Sequence, residues 1–176
     1  MSAASNAALP PAAARHDAAQ TIAVLARTLW AEAGTRPVRA IEALAALVVN
    51  RARITAAPGE VQQRARHWGQ GIAGVCRAPF QFPCWNPNHP RHRAMLAVPE
   101  GDGALAICRR IAARAVAGAL PDPTGGATHY HDAAILPGWA VGEVPLAECG
   151  GMVFYGLEGR DGAGRPARPG PGLAVV

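Results

Sequence analysis

Residues 28–51 read TLWAEAGTRPVRAIEALAALVVNR, and this stretch decides how the rest of the chain is arranged. It contains two helical patterns joined at Gly34–Pro37, because glycine ends a helix and proline is tolerated in the first turn of the next one. In the first pattern apolar residues recur at helical spacing from Ile22 to Leu29, and the next position on that stripe is Glu32. A single carboxylate therefore ends the apolar face of its helix.

Glu32 is the first candidate for catalysis. An unpaired carboxylate on an apolar face resists ionisation, because the charged form loses its hydration. A carboxylic acid that stays protonated near neutral pH is what general acid catalysis needs. On spacing alone, a glutamate that faces water at a helix end is the simpler interpretation.

The second helix is predicted from Val38 to about Ile54, with Thr35 as its cap. It is apolar on nearly every side, which is typical of a central, buried helix. Asn50 is an exception near its end, and a buried amide has to find hydrogen-bond partners. Asn50 either braces the turn that carries Glu32 or caps its own helix.

Further motifs follow this stretch in order along the chain. LWAEAG at 29–34 precedes the Asn50-Arg51 pair, then FQF at 80–82, PTGGATHY at 123–130 and GMVFY at 151–155. Together these motifs resemble the spore-cortex-lytic and cell-wall hydrolase family, and the resemblance covers roughly residues 20–155. Arg36 and Ala40 stand where that family often has a glutamate and a glycine.

The resemblance implies a lysozyme-like domain that cuts the β-1,4 bond between N-acetylmuramic acid and N-acetylglucosamine in peptidoglycan. It puts Glu32 in the position of the catalytic acid and favours the bracing role for Asn50. The predicted fold class is mostly helical α+β, lysozyme-like or lytic-transglycosylase-like, with a small β-hairpin or sheet. Ala127–His131 and Gly151–Tyr155 are the segments expected to pair.

Aromatic and polar residues downstream are candidates to bind the glycan. The amide of Gln81 suits hydrogen bonding to sugar, and the phenol of Tyr130 suits orienting substrate or stabilising developing charge; either residue can instead be packed for structure. Two adjacent glycines allow positive φ and a close approach of ligand to the backbone. The predicted substrate-binding residues are Gln81, Phe82, Trp85, Thr124, Gly125, Gly126, His129, Tyr130 and Trp139.

The chain has 176 residues and a net charge of +5, which arginine carries because lysine is absent. A basic surface favours encounter with the anionic polymers of a cell wall. The arginines are scattered and form neither a basic stripe nor a nucleic-acid motif, so nucleic acid is not the expected partner. The expected partner is the glycan strands of peptidoglycan.

Targeting signals are not visible in the sequence. The longest apolar run, Ala43–Val49, is far too short to span a membrane. The first 14 residues lack both the basic and the apolar region of a signal peptide. We therefore expect synthesis in the cytoplasm and action at the wall, in the periplasm or outside the cell. The route is not identified by the sequence; phage-style lysis, a phage-derived particle and a non-standard exporter are candidates, and a wrongly assigned start codon is an alternative explanation.

Cysteine and histidine spacing suggests a disulfide and weighs against a metal. Cys76 and Cys84 flank a short segment that a disulfide can close; the alternative is buried free thiols. Their spacing to His89 and His92 fits no usual zinc module, so neither a metal nor another cofactor is expected. Cys84 with either histidine is the only constellation available to an amidase or peptidase.

We predict a disordered N-terminal arm over 1–16, a cell-wall hydrolase catalytic domain over 17–156 and a loose C-terminal tail over 157–176. Within the domain, an amphipathic helix is predicted over Ala104–Ala119, and Asp17 is the expected cap of the first helix.

Glycosidases usually need a second carboxylate. The candidates stand in no convincing motif, which favours a lytic transglycosylase in which one glutamate serves as acid and then base. Hydrolysis is the alternative mechanism, and a non-catalytic wall-binding protein is expected if Arg36 neutralises Glu32. The candidate second carboxylates are Glu42, Asp102, Asp122, Asp132, Glu143 and Glu148.

Overall fold

The computed structural model describes residues 12–59 and 65–156. The predicted tail and the first 11 residues of the predicted arm lie outside the described residues. The α-helices of the described part are α1 Ala12–Ala33, α2 Val38–Ala56, α3 Gly71–Arg77, α4 Pro90–Ala97 and α5 Gly103–Val116. Short 3-10 helices occur at Arg66–Trp68, Pro83–Trp85 and Gly138–Ala140.

Two helix starts differ from the prediction. α1 begins at Ala12 and includes Asp17 in its interior, because alanine is the strongest helix former and extends the helix toward the N-terminus. At α2, Pro37 occupies the cap position in place of Thr35, and no side chain caps the helix. The carbonyl oxygen of Pro37 accepts the backbone N–H of Ala40 at 2.9 Å instead.

The core is built around α2. Leu25 and Leu29 of α1 and Leu105 and Cys108 of α5 are fully buried in the same cluster. No helix in residues 12–59 and 65–156 has both the length and the apolar character to cross a membrane. The buried apolar residues of α2 that form the centre of the core are Ala40, Ile41, Ala43, Leu44, Ala45, Ala46, Leu47 and Val48.

Three short strands form an antiparallel sheet in the order β1-β3-β2, with β1 His129–Asp132, β2 Ala147–Cys149 and β3 Met152–Tyr155. The predicted pairing of the first and last strands is confirmed; β2 was not predicted. Residues directly opposite one another share a face. Tyr130 and its partner Phe154 therefore lie on one face of the sheet, which packs on the helices.

The β2–β3 turn rests directly on the start of α2. A Cβ added to Gly150, which has a φ of 56°, would lie 2.9 Å from Cβ of Ala40 and 3.2 Å from Cδ of Pro37. Glycine is required there because a larger residue would push the sheet away from the helix. This close contact fixes the sheet beside the turn that follows α1.

Candidate active site

Glu32 lies in the last turn of α1, and its side chain is only 4% exposed. One carboxylate oxygen, Oε2, accepts a hydrogen bond from Nη1 of Arg91 at 3.2 Å. The other, Oε1, accepts the backbone N–H of Cys84 at 3.3 Å. The carboxylate is thus buried and held from two sides, unlike a glutamate that faces water at a helix end.

Arg36 points away from Glu32. Its guanidinium pairs with Asp132 and also donates to the carbonyl oxygens of Gly150 at 3.1 Å and Gly151 at 2.9 Å. The pairing of Arg36 with Glu32, on which the non-catalytic alternative depended, does not occur. Arg36 instead ties the turn after α1 to the sheet.

Tyr130 of β1 places a phenol near Glu32. Its ring stacks on Phe82 and Phe154, with centroids 6.4 and 6.2 Å away. Burial raises the pKa of Tyr130 well above its usual 10, and the negative charge of Glu32 raises it further. No hydrogen bond to its hydroxyl occurs among the described residues. The phenol therefore keeps its proton and has it available to donate.

Cys84 is not paired with a histidine. Burial raises the pKa of its thiol above the usual range, and the charge and hydrogen bond of Glu32 raise it further, so the thiol stays protonated. Nδ1 of His92 contacts the carbonyl oxygen of Cys84 at 2.8 Å, and Nδ1 of His89 accepts the backbone N–H of Arg91 at 3.2 Å. A cysteine nucleophile needs a thiolate or an adjacent base. The site therefore does not support an amidase or peptidase of that type.

The disulfide predicted between Cys76 and Cys84 is absent. Both are buried free thiols, as are Cys108 and Cys149. The thiol of Cys76 interacts with the Thr28 side chain, and burial raises its pKa to about 12. Cys84 interacts with Glu32. Each thiol therefore has a different side-chain partner.

Asn50 holds a loop rather than the turn after α1 or the end of its own helix. Its Nδ2 donates to Asp122 Oδ2 at 2.9 Å and to the carbonyl oxygen of Ala127 at 3.1 Å. Asp122 also accepts from Thr124 N and Oγ1 at 2.8 and 2.6 Å, and from Gly126 N at 2.8 Å. Burial acts to raise the pKa of Asp122, but these hydrogen bonds outweigh it and the pKa is lowered.

Arg51 joins two of the predicted motifs, a role that the sequence did not reveal. Its Nε donates to the carbonyl oxygen of Thr128 at 2.7 Å and its Nη1 to Oε1 of Gln81 at 3.0 Å. Its guanidinium also lies over the rings of Trp68 and Phe82, at 5.2 and 5.8 Å from their centroids. Gln81 is buried, and its Oε1 is occupied by this structural contact.

The other predicted substrate-binding residues divide by exposure. Phe82 and Thr124 are buried. Trp85 is partly buried and donates from Nε1 to Thr28 Oγ1 at 2.9 Å. Gly125 and Gly126 are exposed, with φ of 68° and 89° and open space where a side chain would project. Among the predicted substrate-binding residues, these two glycines are the ones with an open backbone.

His129 and Trp139 lie on the sheet face opposite Tyr130. Their ring centroids are 5.7 Å apart, and the Trp139 ring also contacts His131 and Tyr155. Burial, together with smaller contributions from the positive charges of Arg51 and His67, lowers the pKa of His129 to about 3. The imidazole is neutral and packed against the rings of Trp68 and Trp139.

Sequence reasoning missed Arg91 at this site and the unusual conformation of Phe80. Arg91 contacts Glu32, although nothing in its neighbourhood marks it as different from other arginines. Phe80, two residues before Phe82, is 82% exposed and has a φ of 64°. A bulky residue rarely adopts that backbone conformation, and such outliers cluster at functional sites. Only its position in the FQF motif could have indicated Phe80.

The predicted second carboxylates have other partners or lie on the surface. In the described part of the chain, no group of three or more His, Cys, Asp or Glu residues could hold a metal ion. Four of the carboxylates have a partner: Glu42 contacts Arg114, Asp102 accepts from Trp30 and the amide of Leu105, Asp122 accepts from Asn50, and Asp132 pairs with Arg36. Glu143 and Glu148 are exposed.

The fold and site define a mostly helical α+β protein with one buried candidate acid, held between an arginine and a backbone amide. The family described as Cell Wall Hydrolase matches residues 36–155, and the chain belongs to that family. This confirms the resemblance found in the sequence and points to degradation of peptidoglycan at the cell wall. The match begins after Glu32 and therefore does not include it. No curated protein and no solved structure matches the chain.

Proposed function

We propose that this protein cleaves the β-1,4 bond between N-acetylmuramic acid and N-acetylglucosamine, as a lytic transglycosylase on a lysozyme-like domain. Membership of the cell wall hydrolase family supports peptidoglycan as the substrate. The single observation that carries the mechanism is the burial of Glu32, whose side chain is 4% exposed and ends an apolar helix face. A carboxyl group in such surroundings can exchange a proton with a bound sugar away from bulk water.

Glu32 acts twice in this mechanism. As an acid it protonates the glycosidic oxygen, and the bond from that oxygen to the anomeric carbon of the muramic acid breaks. As a base the resulting carboxylate takes the proton of the same sugar's 6-hydroxyl, whose oxygen bonds to the anomeric carbon and closes an anhydro ring. The proton returns to Glu32, and no water is consumed.

The contacts of the other carboxylates support a single-acid scheme. Glycosidases that use two carboxylates place them on either side of the scissile bond. Here Asp122 accepts four hydrogen bonds from its own loop and from Asn50, and Asp132 pairs with Arg36. Neither is free to act as a nucleophile or to activate water.

Tyr130 is the residue that we propose assists Glu32. Its pKa is raised by burial, so it is a hydrogen-bond donor over the physiological pH range. A donor aimed at the substrate in a partly buried site orients it and stabilises the negative charge that develops on oxygen. The open backbone at Gly125 and Gly126 is the proposed place for a sugar to approach the loop.

The products that the protein releases from purified peptidoglycan distinguish the two mechanisms. We expect mass spectrometry to show anhydro-muramic products, each lighter by one water than the corresponding reducing-end product. Reducing-end products alone would replace the transglycosylase by a hydrolytic muramidase and require a second carboxylate. If the protein binds peptidoglycan but releases no product from it, the proposed enzymatic activity is contradicted, and a wall-binding protein with the same fold is the remaining interpretation.

A further inference from the structure

The ion pair between Arg91 and Glu32 is asymmetric. Glu32 is buried, whereas the Arg91 side chain is 50% exposed. Arg91 is the second residue of the short helix α4. Within residues 12–59 and 65–156, Glu32 is the only hydrogen-bond partner found for its guanidinium. The arginine can therefore move away from the carboxylate without breaking any other contact that we observe.

This pair conflicts with the first step of the proposed reaction. An ion pair needs an ionised carboxylate, whereas a general acid has to carry a proton. Because the Arg91 side chain is half-exposed, a competing anion can reach its guanidinium and replace Glu32 there. The resting arrangement is thus an inactive one that a suitable substrate group can open.

The guanidinium has the donors for such a group. Arginine presents five N–H donors in a planar fork that matches a carboxylate, and only Nη1 is used on Glu32. Peptidoglycan carries carboxylates close to the scissile bond, either on the lactyl group of a muramic acid without a peptide or on an attached stem peptide. A neutral glycan has none.

We propose that Arg91 recognises a carboxylate carried by the substrate glycan and that Glu32 leaves its ion pair when Arg91 binds that group. This inference rests on the proposed function, since it makes Arg91 the residue that selects substrate for the same site. Arg91 touches the substrate and controls the acid, and the carboxylate-bearing glycan is the substrate class it selects.

The test compares three substrates and three proteins. The substrates are glycan strands with stem peptides, strands freed of peptides by an amidase, and freed strands whose lactyl carboxylates are methyl-esterified. The proteins are wild type, Arg91→Gln and Arg93→Gln. Arg93 is the matched control because it lies on the same helix, is exposed and contacts neither Glu32 nor any other group that we observe.

Arg91→Gln is expected to raise KM by about 10- to 100-fold on carboxylate-bearing strands, the effect of losing a charge-assisted hydrogen bond. On esterified strands its KM should equal that of wild type, and its kcat should be higher because Glu32 is no longer paired. If the KM effect occurs on strands with stem peptides and disappears when the peptides are removed, the carboxylate is on the stem. If it occurs only on freed strands and disappears on esterification, it is the lactyl group, because the amide bond to the stem peptide blocks that carboxylate. Arg93→Gln should behave as wild type throughout.

Equal effects of Arg91→Gln on all three substrates, or the same KM effect in Arg93→Gln, would overturn the proposal. Absence of peptidoglycan cleavage has a different signature, because wild type would then release no product from any strand; reducing-end products in place of anhydro products would change the mechanism and leave the KM comparison intact. In that case the Kd values of wild type and Arg91→Gln for carboxylate-bearing and esterified strands still decide whether Arg91 binds a carboxylate.

Discussion

Arg36 pairs with Asp132, a residue 96 positions further along the chain, and leaves Glu32 to a different arginine. The same guanidinium binds two carbonyl oxygens of the β2–β3 turn. The C-terminal end of α1 is therefore anchored to the sheet, and Glu32 in its last turn is held relative to Tyr130 on β1. Arg36 is a structural residue that supports the site.

Arg36→Ala should lower the free energy of unfolding by about 1–2 kcal/mol, because it removes a charge-assisted pair and two hydrogen bonds in a partly exposed place. Urea denaturation measures the change. Arg39→Ala is the control, since Arg39 is exposed on the same helix–turn–helix segment and has no contact that we observe. Equal stability of the two variants would show that the anchor contributes nothing.

Asn50→Asp should destabilise the protein more than Asn50→Ala at pH 7. Alanine loses two hydrogen bonds from a buried amide, at a cost of about 1–3 kcal/mol. Aspartate loses the same donor and also sets a second carboxylate against Asp122, which is repulsive. Denaturation at pH 7 and pH 3.5 tests this, since protonation should reduce the extra cost of aspartate. A larger loss in Asn50→Ala at pH 7 would contradict the contact with Asp122.

His129 makes stability depend on pH between about 6.5 and 3. Its folded pKa is lowered to about 3 by burial, whereas the unfolded chain binds a proton with a pKa of about 6.5. The unfolded state thus binds more protons in this window, so the contribution is present above pH 6.5 and is lost as pH falls. When the pH falls from 7 to 5, the free energy of unfolding of His129→Phe should decrease by about 1–2 kcal/mol less than that of wild type, as measured by urea denaturation. The same pH dependence in both proteins would show that the imidazole of His129 is exposed to solvent.

Phe80 should show a trade-off between stability and substrate binding. Phe80→Gly is expected to raise the free energy of unfolding by roughly 0.5–1 kcal/mol, because glycine adopts a φ of 64° without strain and little ring burial is lost. It should also raise KM for glycan strands. Phe80→Ala is the matched variant, which removes the ring but keeps the strain. An unchanged KM in both variants would show that the exposed ring does not contact glycan.

The sequence predicted the parts of the fold that depend on local pattern. Helical periodicity identified α1, α2 and α5, and the buried stripe Leu105, Cys108 and Ala115 of α5 lies in the core. The helix ends at Val116, before the predicted Ala119, because Gly118 adopts a φ of 70°. The strand β2 was missed, since three residues are too few for a period of two to be recognised.

Two signals singled out the candidate acid. A carboxylate follows the apolar stripe of α1, but spacing alone favoured a glutamate that faces water, and the family resemblance put Glu32 in the position of the acid; its side chain is 4% exposed. The partners of Asn50, Arg51 and Arg36 could not be predicted, because each contacts a residue far away in the sequence. Such contacts depend on how the helices and the sheet pack, and side-chain type alone does not determine them.

The central claim is that Glu32 is the single catalytic acid. The most direct measurement is the release of muropeptides from purified peptidoglycan by wild type, Glu32→Gln and Glu42→Gln. Glu42 is the matched control, since it pairs with Arg114 near the surface at 2.8 Å. Loss of a general acid is expected to lower the rate by about 10²- to 10⁴-fold or more in Glu32→Gln with an unchanged Tm, while Glu42→Gln retains the wild-type rate. A folded Glu32→Gln protein that releases muropeptides at the wild-type rate would contradict the account.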